Sequence, residues 1–347
     1  MKKVDFSVSY WMECSGPEND IVISSRVRVA RNLAGQVFSC LASNEQTKAV
    51  LDKVYSVIEN QKELSDFNLF TMKNLSILEK QALVEKHLIS PMLARNSQNG
   101  ALLLSGDEAT GLMINEEDHL RLQVILPGLQ LEEAWKKADY YDSLIEQELD
   151  YAFDEQCGYL TACPTNVGTG LRGSVMLHLP ALIMTGQLNR LLAALSQVGL
   201  AVRGLYGEGS EITGNLVQIS NQVTLGQSEE EIIGNLGSMI GQVMEQEQNA
   251  RQALLDKKRA QMADRAWRAL GLLRYAQVMS SKEAIQLISD LRLGHDLGLV
   301  KSVDHRLLNL LLVLIRPACL QILAGRELSN EERNLERPVQ IKKALDI

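Results

Sequence analysis

The chain has 347 residues, 46% of them hydrophobic and 22% charged, enough to bury a sizeable core and long enough for two domains. Its formal charge of −8 and isoelectric point near 5.3 remove the counterion-release drive of a broad nucleic-acid binder, leaving room only for a local basic pocket. Five cysteines without a C-x-x-C pair suit neither a disulfide scaffold nor a four-thiolate zinc site, and with no H-E-x-x-H no metal ligand set is expected. The start MKKVDFSVSYWMECS lacks a signal peptide's apolar segment, and LLNLLLVLI from Leu307 is too short to span a bilayer, so a cytoplasmic chain without a membrane partner is expected.

In chain order, IVISSRVRVARN comes first. Val27 and Val29 alternate with Arg26 and Arg28, and a period of two predicts a strand with one apolar and one strongly positive face. From Asn44 to about Lys62 the apolar residues recur every three and four, which predicts an amphipathic helix. Between Asn68 and Leu126 the chain reads mainly as short strands and turns: NLFTMKNLS, ALLLSG, TGLMINEED and HLRLQVILPG. LEEAWKKADYYDSLIEQEL, acidic at its start, predicts a helix. The glycine-rich GYLTACPTNVGTGLRGSVMLHLP follows, then a second helix over Leu182 to Ser196, then AVRGLYGEG, ITGNLVQISNQ and the helical SEEEIIGNLGSMIGQVMEQEQ. Near Asn249 the texture changes to consecutive helical periods without strands. The expectation is an α/β (α+β) chain with a catalytic unit over residues 1–250 and a mostly helical C-terminal domain over 251–347, the two open to connection by one long helix.

GTGLRG, Gly168 to Gly173, matches the dinucleotide pattern G-x-G-x-x-G. That pattern has physical content only where its last glycine opens a helix facing a pyrophosphate. Here it runs into SVMLHLP, which reads as a strand, and NRLLAALSQVG supplies no acid for a ribose. Arg172 therefore needs another use. Five arginines recur in short segments: Arg26, Arg28, Arg121, Arg172 and Arg203. Each alone reads equally as a solvated strand edge. Converging, their guanidinium forks would grip phosphate oxygens, and without an anion they would repel one another. Glu117 in NEEDHLR and Glu208 in RGLYGEGSE would repel phosphate but suit a cationic second substrate, orienting a guanidinium and accepting its proton. If NEEDHLR is extended, Glu117, His119 and Arg121 share one side and Glu116 and Asp118 the other. Cys163, before Pro164, reads as a thiolate beside that guanidinium or as a small buried hydrophobe. His119 reads as part of the site's floor or as a core-edge residue. Asn221 and Gln222 are too common a signal to use alone. With no Walker loop and no HRD or DFG, arginines would carry the phosphate.

Together SSRVRVARN, NEEDHLR, CPTNVGTGLRGS and RGLYGEGSE resemble the ATP:guanido phosphotransferase family, the creatine and arginine kinases, in the family's order and across most of residues 20 to 240. The resemblance implies a large antiparallel sheet flanked by helices. It implies that Arg26, Arg28, Arg121, Arg172 and Arg203, with His119, bind ATP accompanied by Mg2+. Glu117 and Glu208 would engage the guanidinium, with Cys163 beside it. Only 25 residues precede Arg26, where kinases of free phosphagens carry a helical domain, and the extra helices lie at the other end. That arrangement is similar to the bacterial protein-arginine kinases, as are LRLG near Leu291, RPACLQ and ERNLERP. The similarity implies arginine-bearing protein substrates marked for a Clp chaperone-protease in protein quality control, an activator, and a homodimer or higher oligomer. The subgroup's phosphoarginine-recognition motif RDxxRA is altered here to Arg333, Asn334, Arg337 and Pro338. The two arginines remain candidates for phosphoarginine, while loss of the aspartate weakens the guanidinium contact and proline changes the backbone restraint. Two alternatives stand beside this reading: a kinase of free arginine or another small guanidino compound, and a catalytically idle phosphoarginine-binding adaptor.

Overall fold

The computed structural model describes residues 7–95, 98–204 and 212–346. Its centre is an antiparallel eight-stranded sheet of order β2-β3-β4-β5-β1-β8-β10-β9. The strands are β1 (Val22–Arg31), β2 (Asn68–Thr71), β3 (Ala101–Leu104), β4 (Thr110–Ile114), β5 (Leu120–Pro127), β8 (Leu171–His178), β9 (Leu200–Arg203) and β10 (Leu216–Asn221). A separate hairpin, β6 (Phe153–Asp154) and β7 (Gly158–Tyr159), stands beside it.

The alternation in β1 sets the two sides of this sheet. Val27 lies opposite Val124 and Gly173, and Val29 opposite Leu122 and Leu171, so these side chains share one apolar face. Helices α1 (Asn44–Asn60), α4 (Leu131–Glu146), α5 (Pro180–Met184), α6 (Leu188–Gln197) and the first part of α7 (Glu229–Tyr275) contribute to the same core. Packing there is close: a Cβ on Gly173 would lie 3.0 Å from Leu236 and 3.2 Å from Ile233, both on α7. Two of these helices have a chemical start signal. Ser43 and Gln46 form a reciprocal capping box at α1, and Ser228 and Glu231 do so at α7.

Two expectations need correction. The stretch between Asn68 and Leu126 holds helices α2 (Ile77–Glu85) and α3 (Pro91–Arg95) among its strands. The signal was present, because Ser76 and Glu79 form another capping box, S-x-x-E before an apolar run. The single helix read over Leu182 to Ser196 is two helices, α5 and α6, interrupted at Gly186, whose φ of +72° breaks the helical path.

α7 runs 47 residues, with one non-helical residue at Lys258. Ile232 to Leu254 serve the sheet core, whereas Ala266 to Leu273 serve a second core with α8 (Ser281–Asp296), α9 (His305–Leu314) and α11 (Asn330–Ala344). Helix α10 (Pro317–Ala324) joins this second core and packs on α2. Trp11, Ile125 and Met176 belong to it too, so the C-terminal helices rest on one end of the sheet's positive side. Among the described residues no single helix is long and apolar enough to cross a membrane, and α9 and α10, apolar as they are, meet at 90°.

Candidate active site

Strand register brings the arginines together. Arg28 lies directly opposite Arg172, Ala30 opposite Arg121, and Arg26 opposite Ser174. Gln218 lies opposite both Met176 and Arg203. Cross-strand partners share a face, so Arg26, Arg28, Arg121, Arg172 and Arg203 all project from the side opposite the valines. Like charges facing each other across a strand pair are destabilising unless something neutralises them. Arg28 feels this most: burial and the neighbouring Arg26, Arg121 and Arg172 hold its guanidinium well below its ordinary range, with Glu116 partly offsetting them. Its buried Nε has no hydrogen-bond partner among the described residues. A buried, under-satisfied cation among other cations is the donor set a polyphosphate needs.

A cavity of about 420 Å³ opens on this face, lined by Arg28, Arg121, Arg172 and Arg203 together with Glu117 and Cys163. Arg26 stands next door. It lines a small pocket with Trp11, His87, Ser174 and Gln218, and donates to Ser174 Oγ at 3.3 Å and Gln218 Oε1 at 3.1 Å. Burial and the other arginines push it down to about 10.

The NEEDH part of NEEDHLR, residues 115–119, is a turn between β4 and β5 rather than extended strand, closed by Asn115 N–H on His119 O and by Glu116 N–H on Asp118 O. The expected segregation of its acids therefore fails. Arg121 sits between Glu116 at 2.7 Å and Glu117 at 3.0 Å, and Glu116 also accepts from the Ser90 hydroxyl and the Glu117 amide. Burial raises the Glu117 carboxyl above its ordinary value, with Arg121 pulling the other way, so it holds a proton more readily than a solvated glutamate. Asp118, fully buried, accepts from Asn32 Nδ2 at 2.7 Å and from the Ala162 amide at 2.6 Å. It thereby fixes the Cys163 loop relative to Glu117. Cys163 Sγ lies 3.0 Å from Thr165 Oγ1.

The glycines of GTGLRG answer to backbone crowding. Gly168 has φ +109° and Gly170 φ +65°; a Cβ would come within 2.2 Å of Thr224 O in the first case and 2.5 Å of Ala30 O in the second. No other residue fits at Gly170 without moving Ala30, which lines the cavity, or at Gly168 without moving the Thr224 backbone.

His119 does not enter the cavity, and its expected place among the nucleotide contacts is corrected. It is fully buried; Nδ1 accepts the Leu33 amide at 3.1 Å and Nε2 lies 2.9 Å from Val37 O. Burial keeps this imidazole below its ordinary value. Asn221 is likewise engaged internally, accepting from Gly173 N and donating to Leu171 O and Val223 O. Glu208 lies outside the described residues. In α11, Arg337 is 2% exposed and donates to Ile315 O, Met279 O and Asn334 Oδ1, while Arg333 donates to Leu328 O. This removes Arg337 from the surface on which a phosphorylated side chain would land. Sequence reasoning passed over Glu116, Asp118 and His87. The NEED run offers four polar residues in succession and no means of choosing among them, and His87 reaches the arginines only through the fold.

Comparison with known proteins gives two family matches: ATP:guanido phosphotransferase, C-terminal catalytic domain, over residues 49–250, and Protein-arginine kinase McsB C-terminal domain over residues 259–347. The chain is 51% identical to the protein-arginine kinase of Moorella thermoacetica over 340 residues, covering 97% of each chain. It is 50% identical to that of Geobacillus stearothermophilus over 342 residues, covering 98% of this chain and 94% of the relative. Among solved structures, lombricine kinase superposes with a TM-score of 0.62 at 21% identity, covering 72% of this chain and 73% of that one. The duplicated taurocyamine kinase of Schistosoma mansoni gives 0.62 at 22%, covering 72% of this chain and 35% of the duplicated one. At such identities these two structures speak to the fold alone.

Proposed function

This chain belongs to the ATP:guanido phosphotransferase family, and from that premise we propose that it transfers the γ-phosphoryl group of ATP to arginine side chains of proteins. The observation that carries the chemistry is one cavity lined both by four arginines, Arg28, Arg121, Arg172 and Arg203, and by Glu117 and Cys163. Mg–ATP enters as substrate, its phosphates gripped by Arg28, Arg121, Arg172 and Arg203, with Arg26 reaching from the adjoining pocket. The acceptor guanidinium enters between Glu117 and Cys163. Its nitrogen attacks the γ-phosphorus, the bond to the bridging oxygen of ADP breaks, and Glu117 takes the proton the guanidinium loses. A carboxyl raised by burial suits that role better than a solvated one. Glu208 is carried in this scheme by its sequence motif. The protein's part is alignment and charge compensation, the main requirements of phosphoryl transfer.

The finer expectations belong to the same proposal: marking of substrates for a Clp chaperone-protease, an activator, cytoplasmic location and a homodimer through the C-terminal helices. Trp267, Tyr275, Leu335 and Val339 support the last, exposing 54%, 72%, 53% and 43% of their surfaces on α7 and α11. Incubation with Mg–ATP and an unfolded arginine-rich protein, followed by mass spectrometry under non-acidic handling, is expected to find acid-labile phosphoarginine. Free arginine in competition is expected to be turned over poorly. Efficient labelling of free arginine with none on protein would replace this reading by that of a small-molecule guanidino kinase.

A further inference from the structure

Helix α10 begins with a problem. Its first turn follows Arg316, whose side chain has no acceptor to offer an amide, and opens on Pro317, which has no N–H. The next two amides need a partner, and it comes from far away in sequence. Glu85, at the end of α2 and only 6% exposed, accepts Ala318 N–H on both carboxylate oxygens at 3.1 and 2.9 Å and Cys319 N–H at 2.9 Å. A carboxylate at a helix N-terminus is favoured by the exposed amides and the macrodipole together. Here the carboxylate belongs to the sheet-bearing part of the chain and the helix to the C-terminal part.

The two residues after Glu85 lead to the arginines. Lys86 is buried and paired with Glu108 at 2.6 Å, and its carbonyl accepts Trp11 Nε1 at 3.3 Å. His87, held at φ +63°, ends the helix with its amide donating to Val84 O at 3.0 Å, and its carbonyl accepts from Gln123 Nε2 of β5 at 3.0 Å. Its ring stands 5.9 Å from that of Trp11, and both line the pocket of Arg26 with Ser174 and Gln218. Glu85, Lys86 and His87 thus form an unbroken run of contacts from the start of α10 to the pocket of Arg26.

We propose that Glu85 is a positioning residue through which the C-terminal helices set the His87–Arg26 side of the nucleotide cradle. The proposal rests on the nucleotide reading of that cradle and not on the identity of the phosphate acceptor. Coupling of this kind is reciprocal: nucleotide must tighten the α10 cap by as much as the cap tightens nucleotide.

The test uses the full chain and Mg–ADP as probe. Hydrogen exchange at the Ala318 and Cys319 amides is expected to slow when Mg–ADP binds the wild type. Glu85→Gln is expected to abolish that protection and weaken Mg–ADP on the order of fivefold, the lower end of typical coupling. In turnover it raises KM for ATP while leaving kcat and the KM for protein unchanged. Ser329→Ala, which removes the cap of α11 in the same group of helices, controls for general loosening: it lowers Tm without touching Mg–ADP affinity. The proposal is overturned if Mg–ADP binds the wild type and the two amides exchange as before, a measurement that stands even where Glu85→Gln fails to fold. It is overturned equally if folded Glu85→Gln binds Mg–ADP as tightly as the wild type. No Mg–ADP binding at all removes the cradle reading and this proposal with it. Protection of the two amides without any arginine phosphorylation keeps the coupling and sinks only the proposed activity.

Discussion

Two places in this molecule collect arginines, and they treat them in opposite ways. On the sheet, Arg28 faces Arg172 across a strand pair, has Arg26 and Arg121 as further neighbours, and leaves a buried Nε unmatched. In α11, Arg337 is more completely covered than the half-buried Arg28, at 2% exposure, yet its donors reach two backbone carbonyls and the Asn334 side chain. An arginine motif alone therefore says little about ligand binding. What separates a receptor from a clasp is whether the protein itself satisfies the guanidinium. Arg28 keeps a buried donor unmatched among like charges, which an anion would satisfy, and Arg337 already has its partners.

The open face is broken most severely through its acid. Glu117→Gln keeps the shape and the Arg121 neighbour but cannot accept a proton, and kcat is expected to fall on the order of a thousandfold, within the range for loss of a general base. The same residue predicts a pH profile. Its carboxyl is raised above the ordinary 4.5, so activity is lost on acidification at a higher pH than a solvated glutamate would give. A rate profile measured from pH 5 to 9 checks this; full activity in Glu117→Gln would end its assignment as base.

Arg28→Ala and Arg337→Ala then test the comparison directly. The first is expected to lower kcat/KM for ATP about a hundredfold, as removal of one preorganised charge donor does, while Tm stays level or rises because a like-charge contact disappears. The second is expected to cost on the order of 3 kcal/mol, since it strands buried carbonyls that a charged donor had satisfied. Denaturant unfolding beside ATP kinetics separates the two. If Arg337→Ala instead leaves stability intact and abolishes a response to phosphoarginine, α11 is a receptor after all.

Much of the open face was legible because a period of two is a strong signal: β1 had to carry Arg26 and Arg28 on one side. The register that sets Arg28 against Arg172 was not, because pairing depends on contacts over a hundred residues away. The parity argument for NEEDHLR failed on a turn: hydrogen bonds at Asn115 and Glu116 curl the segment and bring Glu116 onto Arg121. His119 looked like a site residue from its neighbours in sequence, whereas its partners, Leu33 and Val37, lie elsewhere on the chain. Helix α2 was missed despite its capping box, since its apolar residues lack a clear face. The Glu85 cap on α10 leaves no local trace at all.

Acid provides a weaker probe of how the protein holds internal polar groups. His178 is fully buried, with Nε2 2.8 Å from Ser289 Oγ, and burial together with Arg292 and Arg251 keeps it well below its ordinary 6.5. Below pH 6.5 the unfolded chain therefore binds a proton that the native His178 refuses, and stability falls as pH falls. The slope from this residue approaches about 1.4 kcal/mol per pH unit. Urea unfolding of His178→Gln across pH 7 to 5 is expected to show a shallower dependence than the wild type, and an identical slope would mean the imidazole protonates in the native state.

The smallest effect belongs to Pro338, the residue that most visibly departs from a helical norm. A proline inside a helix commonly costs about 3 kcal/mol, partly because the carbonyl four residues back loses its donor. That carbonyl is Asn334 O, and here it accepts the Met279 amide from the α7–α8 connection at 2.9 Å. Pro338 and Asn334 thus open a place in α11 for Met279, and Arg337 closes it from the side through Met279 O. Pro338→Ala restores an N–H that competes for an oxygen already occupied. Its stability gain is expected to stay below about 1 kcal/mol, well short of the usual penalty for an interior proline. A gain near the full value, measured by thermal unfolding, would mean that the Met279 bond contributes little and that Arg337 is not the clasp its contacts describe.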